Sequence, residues 1–249
     1  MASVPYTLDE TLLKIQGVNV SYDNPVLRDV NAEIKNIHRP GLQQGQVVGL
    51  LGPSGMGKTT LFRIIAGLNE PDSGVVTIGP EGVPVKRGTV GVVAQSYPLF
   101  RHRTVFGNLV VAGLQVGLSK GEAREKSHAL LKRFGLEGHG HKFSSQLSGG
   151  QKQRAAISQQ FMCSESLLLM DEPFSGLDLN AVARVCSFTN EVAMADERNT
   201  IIVVTHDISA AIEVSDTLWI LGRERDEADQ PIPGARIVKT YDLIERELA

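Results

Sequence analysis

Short apolar runs alternate with helical stretches along most of this chain. Near the start, Leu13, Ile15, Val18 and Val20 alternate with polar neighbours, and Leu27, Val30 and Ile34 continue the pattern. This predicts short strands joined by turns. Residues 47–51 form a compact apolar run followed by glycine, the pattern of a buried strand feeding a tight turn. Residues 59–68 place Leu61, Ile64, Ile65 and Leu68 at helical spacing. Pro71, Asp72, Ser73 and Gly74 predict a turn before a strand at 75–78, and 90–94 reads as another short strand. From 104 to about 135 the period turns helical and charge rises, as in a helical insert between two parts of an α/β core. After Ser148 come a helix, a strand at 167–170, a helix from about Asn180, a strand at 201–204, a short helix and a strand at 217–221. Residues 222–234 read as an exposed polar loop, and 236–240 as a last strand. Strands alternating with helices predict an α/β fold with a mostly parallel sheet covered on both faces.

A chain of 249 residues can bury a sizeable core, and 42% hydrophobic with 21% charged residues is ordinary globular composition. The net charge of -3 gives no bulk attraction to nucleic acid or to acidic lipid. Cys163 and Cys186, the two cysteines, make neither a disulfide framework nor a four-ligand zinc site, and both read as small buried groups in helices. The first ten residues lack the basic start and apolar stretch of a secretory signal. No run approaches the ~18 apolar residues of a membrane span, so any membrane role is expected through partner subunits.

The chemistry starts at Gly52, Pro53, Ser54, Gly55, Met56, Gly57, Lys58 and Thr59, which fit G-x-x-x-x-G-K-[ST] at every fixed position. The glycines let backbone N–H groups converge on phosphate oxygens, and the following helix start, with Thr60 next in line, adds unpaired N–H groups. Lys58 supplies a point charge for β- and γ-phosphates, and the Thr59 hydroxyl can hold Mg²⁺. Further on, four apolar residues deliver Asp171 and Glu172 to the carboxyl edge of the sheet. Asp171 is a candidate Mg²⁺ ligand and Glu172 a candidate general base. Leu147, Ser148, Gly149, Gly150 and Gln151 form a second phosphate-binding helix start. His139 and His141 read as residues of a solvated loop.

That last string, with Gln153 and Arg154, resembles the signature motif of ABC ATPases, and the resemblance runs through nearly the whole chain in the family's order. It implies a P-loop NTPase core with an antiparallel β subdomain and a helical insert at roughly 96–150, all within one domain spanning 1–249. It implies that Tyr22 stacks on adenine, that Gln95 touches Mg²⁺ and faces membrane subunits, that residues 175–178 ending in Asp178 form the D-loop, and that His206 is the switch histidine. Lys58, Glu172, His206 and Gln95 would be catalytic. It further implies Mg-ATP hydrolysis by a head-to-tail dimer, each ATP held between one chain's phosphate loop and the other's signature, coupled to separate permease subunits at the inner face of the cell membrane.

Import is the expected direction; a separate-chain exporter or a soluble ABC ATPase is the alternative. PIPGARIVK, at 231–239, is similar to a stretch of nitrate- and sulfonate-type importer ATPases. Gln159 stands where the family often has arginine, with altered packing or surface charge as the expected effect. Around 95–103, Tyr97, Leu99 and Phe100 form an apolar cluster that either faces the permease or packs the helical insert.

Overall fold

The computed structural model describes residues 6–38, 45–94, 98–164 and 166–244. Two long strands, β1 (Thr7–Ser21) and β2 (Pro25–His38), pair antiparallel as a hairpin. They are longer than the short strands that the sequence pattern suggests. Bulges break the alternation without ending the pairing. Leu13 and Ile15 are buried, then Val18 and Val20: the phase shifts by one residue at Gly17, whose φ is +58°. Asp29, at φ +43°, shifts the second strand between Leu27 and Val30 in the same way. Side chains hold the distortion, since the Gly17 N–H donates to Asn31 Oδ1 at 2.8 Å and the Asp29 N–H to Asn19 Oδ1 at 2.9 Å.

The hairpin continues into β4 (Ser73–Ile78) and β5 (Val83–Pro84), giving a four-stranded antiparallel sheet in the order β2-β1-β4-β5. The second sheet contains β3 (Gln46–Leu51), β6 (Gly91–Val93), β7 (Leu167–Asp171), β8 (Thr200–Thr205), β9 (Thr217–Gly222) and β10 (Arg236–Asp242). Its order is β10-β9-β3-β8-β7-β6, parallel throughout except for β10. The helices are α1 (Lys58–Ile65), α2 (Val105–Gln115), α3 (Lys120–Arg133), α4 (Gly149–Gln160), α5 (Leu179–Met194) and α6 (Ile208–Val214).

Both faces of the parallel sheet are buried. Val48, Leu50, Leu169, Ile202 and Val204 pack with α1 and the antiparallel sheet. Val47, Leu168, Met170, Ile201 and Val203 pack with residues of α2 to α6 on the other face. Alternate residues of each strand serve opposite cores, which is why these strands read as unbroken apolar runs.

Leu99 packs against the second of these cores, as the packing alternative expects, while Phe100 is 44% exposed. Tyr97 and Gln95 lie outside the described residues. Cys186 is buried in α5, and burial first, then the nearby Glu213 and Asp207 charges, pushes its thiol up to about 12. Cys163 is half-buried and lies in the turn after α4, not in the helix that the pattern suggested; burial raises its thiol as well. Gln159 is half-buried in the last turn of α4.

The polar loop after β9 ties two parts of the fold together. Glu224 meets Arg28 of β2 at 2.6 Å and Arg236 of β10 at 3.4 Å, and Arg236 reaches Asp29 at 3.4 Å. The backbones join too, since the Arg28 N–H donates to Ala235 O and the Ala235 N–H to Val26 O, both at 2.9 Å.

Candidate active site

All six residues of β3 are buried, and the strand runs out at the sheet's carboxyl edge into Gly52. A Cβ on Gly52 would lie 2.7 Å from the Leu221 carbonyl oxygen of β9, so only glycine passes here. Gly57 begins α1 with φ +92°, under Val26 and Leu27 of β2. No side chain caps α1 and its first turn holds no acid, so its leading N–H groups face outward unneutralised. Lys58 is 8% exposed and folds back over the loop, donating from Nζ to the Gly52 carbonyl at 2.7 Å and the Pro53 carbonyl at 3.2 Å. Pro53, Ser54, Gly55 and Thr59 are exposed, with Met56 and Thr60 half-buried. The result is a concave ring of backbone donors with one tethered cation, an arrangement that suits a phosphate.

Two strands away, β7 ends at Asp171, and Glu172 continues with a left-handed φ of +47°. Its N–H donates to the Val204 carbonyl at 2.8 Å, which extends the parallel pairing by one residue. The turn directs the carboxylate along the end of β8. Oε2 there accepts from Thr205 Oγ1 at 3.1 Å and lies 2.9 Å from His206 Nδ1. Burial, and then the Glu172 charge, raise the Asp171 carboxyl, and Lys58 opposes them. Two carboxylates at adjacent strand-end positions repel one another, which suits a divalent cation. The sheet order thus brings Lys58, Asp171, Glu172 and His206 to one edge.

Ser148 caps α4 through a capping box. Its Oγ accepts from the Gln151 N–H at 3.3 Å, and its own N–H donates to Gln151 Oε1 at 3.0 Å. Gly149 and Gly150 are exposed beside it, leaving a second helix start open to an anion. The Gln151 side chain is turned inward to this cap and lies 3.0 Å from His139 Nε2. His139 is therefore half-buried and engaged, not a solvated loop residue. Asp178 caps α5, accepting from the Ala181 N–H at 2.8 Å, with exposed Leu177 and Leu179 on either side. Tyr22, at the tip of the β1–β2 hairpin, is 66% exposed.

Residues 36–175 match the family model described as ABC transporter. The chain belongs to the ABC transporter family. Among curated members it is similar to the sulfate/thiosulfate import ATP-binding protein CysA 2 of Shewanella oneidensis, at 42% identity over 224 residues, covering 86% of this chain and 60% of that one. It is also similar to the Fe(3+) ions import ATP-binding protein FbpC of Agrobacterium fabrum, at 41% identity over 183 residues, covering 72% of this chain and 52% of that one. The chain thus spans between half and two thirds of the length of these relatives. Among solved structures it resembles cbiO1 from Clostridium perfringens, part of the ABC transporter complex cbiONQ, with a TM-score of 0.75, 26% identity, and 96% and 91% of the two chains covered.

In this ABC family chain two contacts at the candidate site escape a motif reading. Thr205 bonds Glu172, and its only sequence signal is a hydroxyl at the end of an apolar strand. His139 reaches Gln151 across a tertiary contact that no local pattern announces.

Proposed function

We propose that the chain is an ATP-binding and ATP-hydrolysing subunit that powers solute import through separate permease subunits. The convergence of Lys58, Asp171, Glu172 and His206 on one sheet edge carries this reading. The loop from Gly52 to Thr59 and the start of α1 bind the phosphates, with Lys58 released from the Gly52 and Pro53 carbonyls onto β- and γ-oxygens. Thr59, Asp171 and Gln95 would hold Mg²⁺, which supplies charge neutralisation across those oxygens. Glu172 takes the proton from the attacking water, oriented by the Thr205 hydroxyl and by His206. Tyr22, exposed at the hairpin tip, stacks on the adenine in this reading.

A second copy completes the site. One ATP needs one cradle, yet the chain has two, at Lys58 and at Ser148. Head-to-tail pairing sets each Ser148 helix start against the other chain's nucleotide. Exposed Leu177, Leu179 and Ile208, the last at 63%, supply apolar surface for that pairing. Among the described residues no helix is long and apolar enough to cross a membrane. Attachment to the inner face of the membrane runs through permease subunits, with the stretch from Gln95 to Arg103, which includes exposed Phe100, as the contact. The names of the two curated relatives specify import, and that direction is adopted for this chain. The helices around 96–150 work with the sheets as one ATPase domain over 1–249.

The purified chain is expected to release phosphate from ATP when Mg²⁺ is present and to stop when EDTA removes it. Phosphate release that is unchanged in EDTA, or none under any condition in which permease-bound chain is also inert, refutes the proposal.

A further inference from the structure

The 3₁₀ turn Glu137–His139 is pinned by its own backbone: the His139 N–H donates to the Leu136 carbonyl at 2.8 Å, and its carbonyl accepts from the Lys142 N–H at 3.0 Å. Next to it, the Phe106 N–H of α2 donates to the Gly140 carbonyl at 2.9 Å, and a Cβ on Gly140 would lie 2.8 Å from Leu131 of α3. The His139 ring is thus placed by the fold, and its Nε2 lies 3.0 Å from Gln151 Nε2.

The proton arrangement follows from what each group can do. The Ser148 N–H is only a donor, so the Gln151 amide must turn its oxygen there, at 3.0 Å. The amide NH₂ then faces His139, and the ring nitrogen that receives it must be bare. The ring proton sits on Nδ1, which is buried with no hydrogen-bond partner. We infer that neutral His139, in this Nδ1–H form, is a positioning residue that locks Gln151 into the Ser148 capping box and so fixes the anion-binding start of α4.

An imidazolium carries N–H at both nitrogens. Donor would then meet donor at Gln151; turning the amide over moves the same conflict to the Ser148 N–H. Either way the cap opens. Glu137, His141 and Lys142 flank His139 in sequence, and Arg124 and His128 of α3 lie against Phe106, whose N–H holds the neighbouring Gly140.

The functional part of this inference rests on the proposed role of Ser148 as a phosphate cradle; the tautomer does not. The test measures long-range ¹H–¹⁵N imidazole correlations on the full chain, with His139→Gln and His139→Leu as variants. Glutamine offers a non-titrating acceptor near the Nε2 position, and leucine offers none. The signal of His139 in its Nδ1–H form is expected in the wild type and missing from both variants. His139→Gln should turn over ATP within about twofold of wild type. His139→Leu should lose about fivefold, the typical effect of one lost cap. An Nε2–H tautomer at His139, full activity in His139→Leu, or equal damage in both variants overturns the inference. If the wild type itself hydrolyses no ATP, the proposed function fails, and the tautomer and the Gln151 side-chain amide signals decide the structural part alone.

Discussion

The Glu172→Gln variant is expected to bind Mg-ATP and to hydrolyse it about 10²–10⁴-fold more slowly than wild type. The amide keeps the size of the carboxylate and its oxygen can still accept from Thr205, which lies 3.1 Å from Oε2 in the native chain. What disappears is the base that takes the water's proton. If ATP joins two copies and hydrolysis parts them, the slow variant should accumulate as a dimer in saturating Mg-ATP, visible by light scattering on a sizing column. Wild-type turnover removes Glu172 from the role of base. A monomer at saturating nucleotide removes the sandwich.

The second large effect comes from mixing two inactive variants. Lys58→Ala removes the one cation that the loop holds over its phosphate cradle, and turnover should drop by about 10²-fold or more. Ser148→Arg replaces the cap of α4 and fills the space proposed for the partner's γ-phosphate. Each variant alone damages both composite sites. A mixed dimer contains one site with both defects and one with neither, so activity should return when the two chains are combined. Single-turnover measurement on a cross-linked mixed dimer isolates the intact site from any coupling to its neighbour. No phosphate release from that dimer would falsify the shared-site arrangement.

The sequence carried these expectations unevenly, for physical reasons. The phosphate loop is local: glycines at φ +75° and +92° and the helix start after them lie within a few residues, so spacing alone reveals them. The buried parallel strands were legible because both their faces meet apolar cores. The length of the β1–β2 hairpin was not, because its alternation changes phase at Gly17 and Asp29, and a pattern that loses phase reads as several short strands. Glu172 and His206 are brought together by neighbouring strands β7 and β8, and only the family resemblance paired them in advance. His139 was read as a solvated residue since nothing near it in sequence shows that α4 supplies Gln151. The loop after β9 reads only as exposed and polar for the same reason: Arg28, which grips Glu224, lies 196 positions away.

Glu172 also bears on what selection can do with this molecule. Its left-handed backbone is strained for any residue with a Cβ, by about 1–2 kcal/mol, and glycine would relieve that strain. One position where a stabilising replacement is easy to name is therefore the one proposed to make the chain an enzyme. Stability and turnover are set against each other at a single codon, and a search for hardier variants by thermal challenge alone is drawn toward a folded protein that can no longer split ATP.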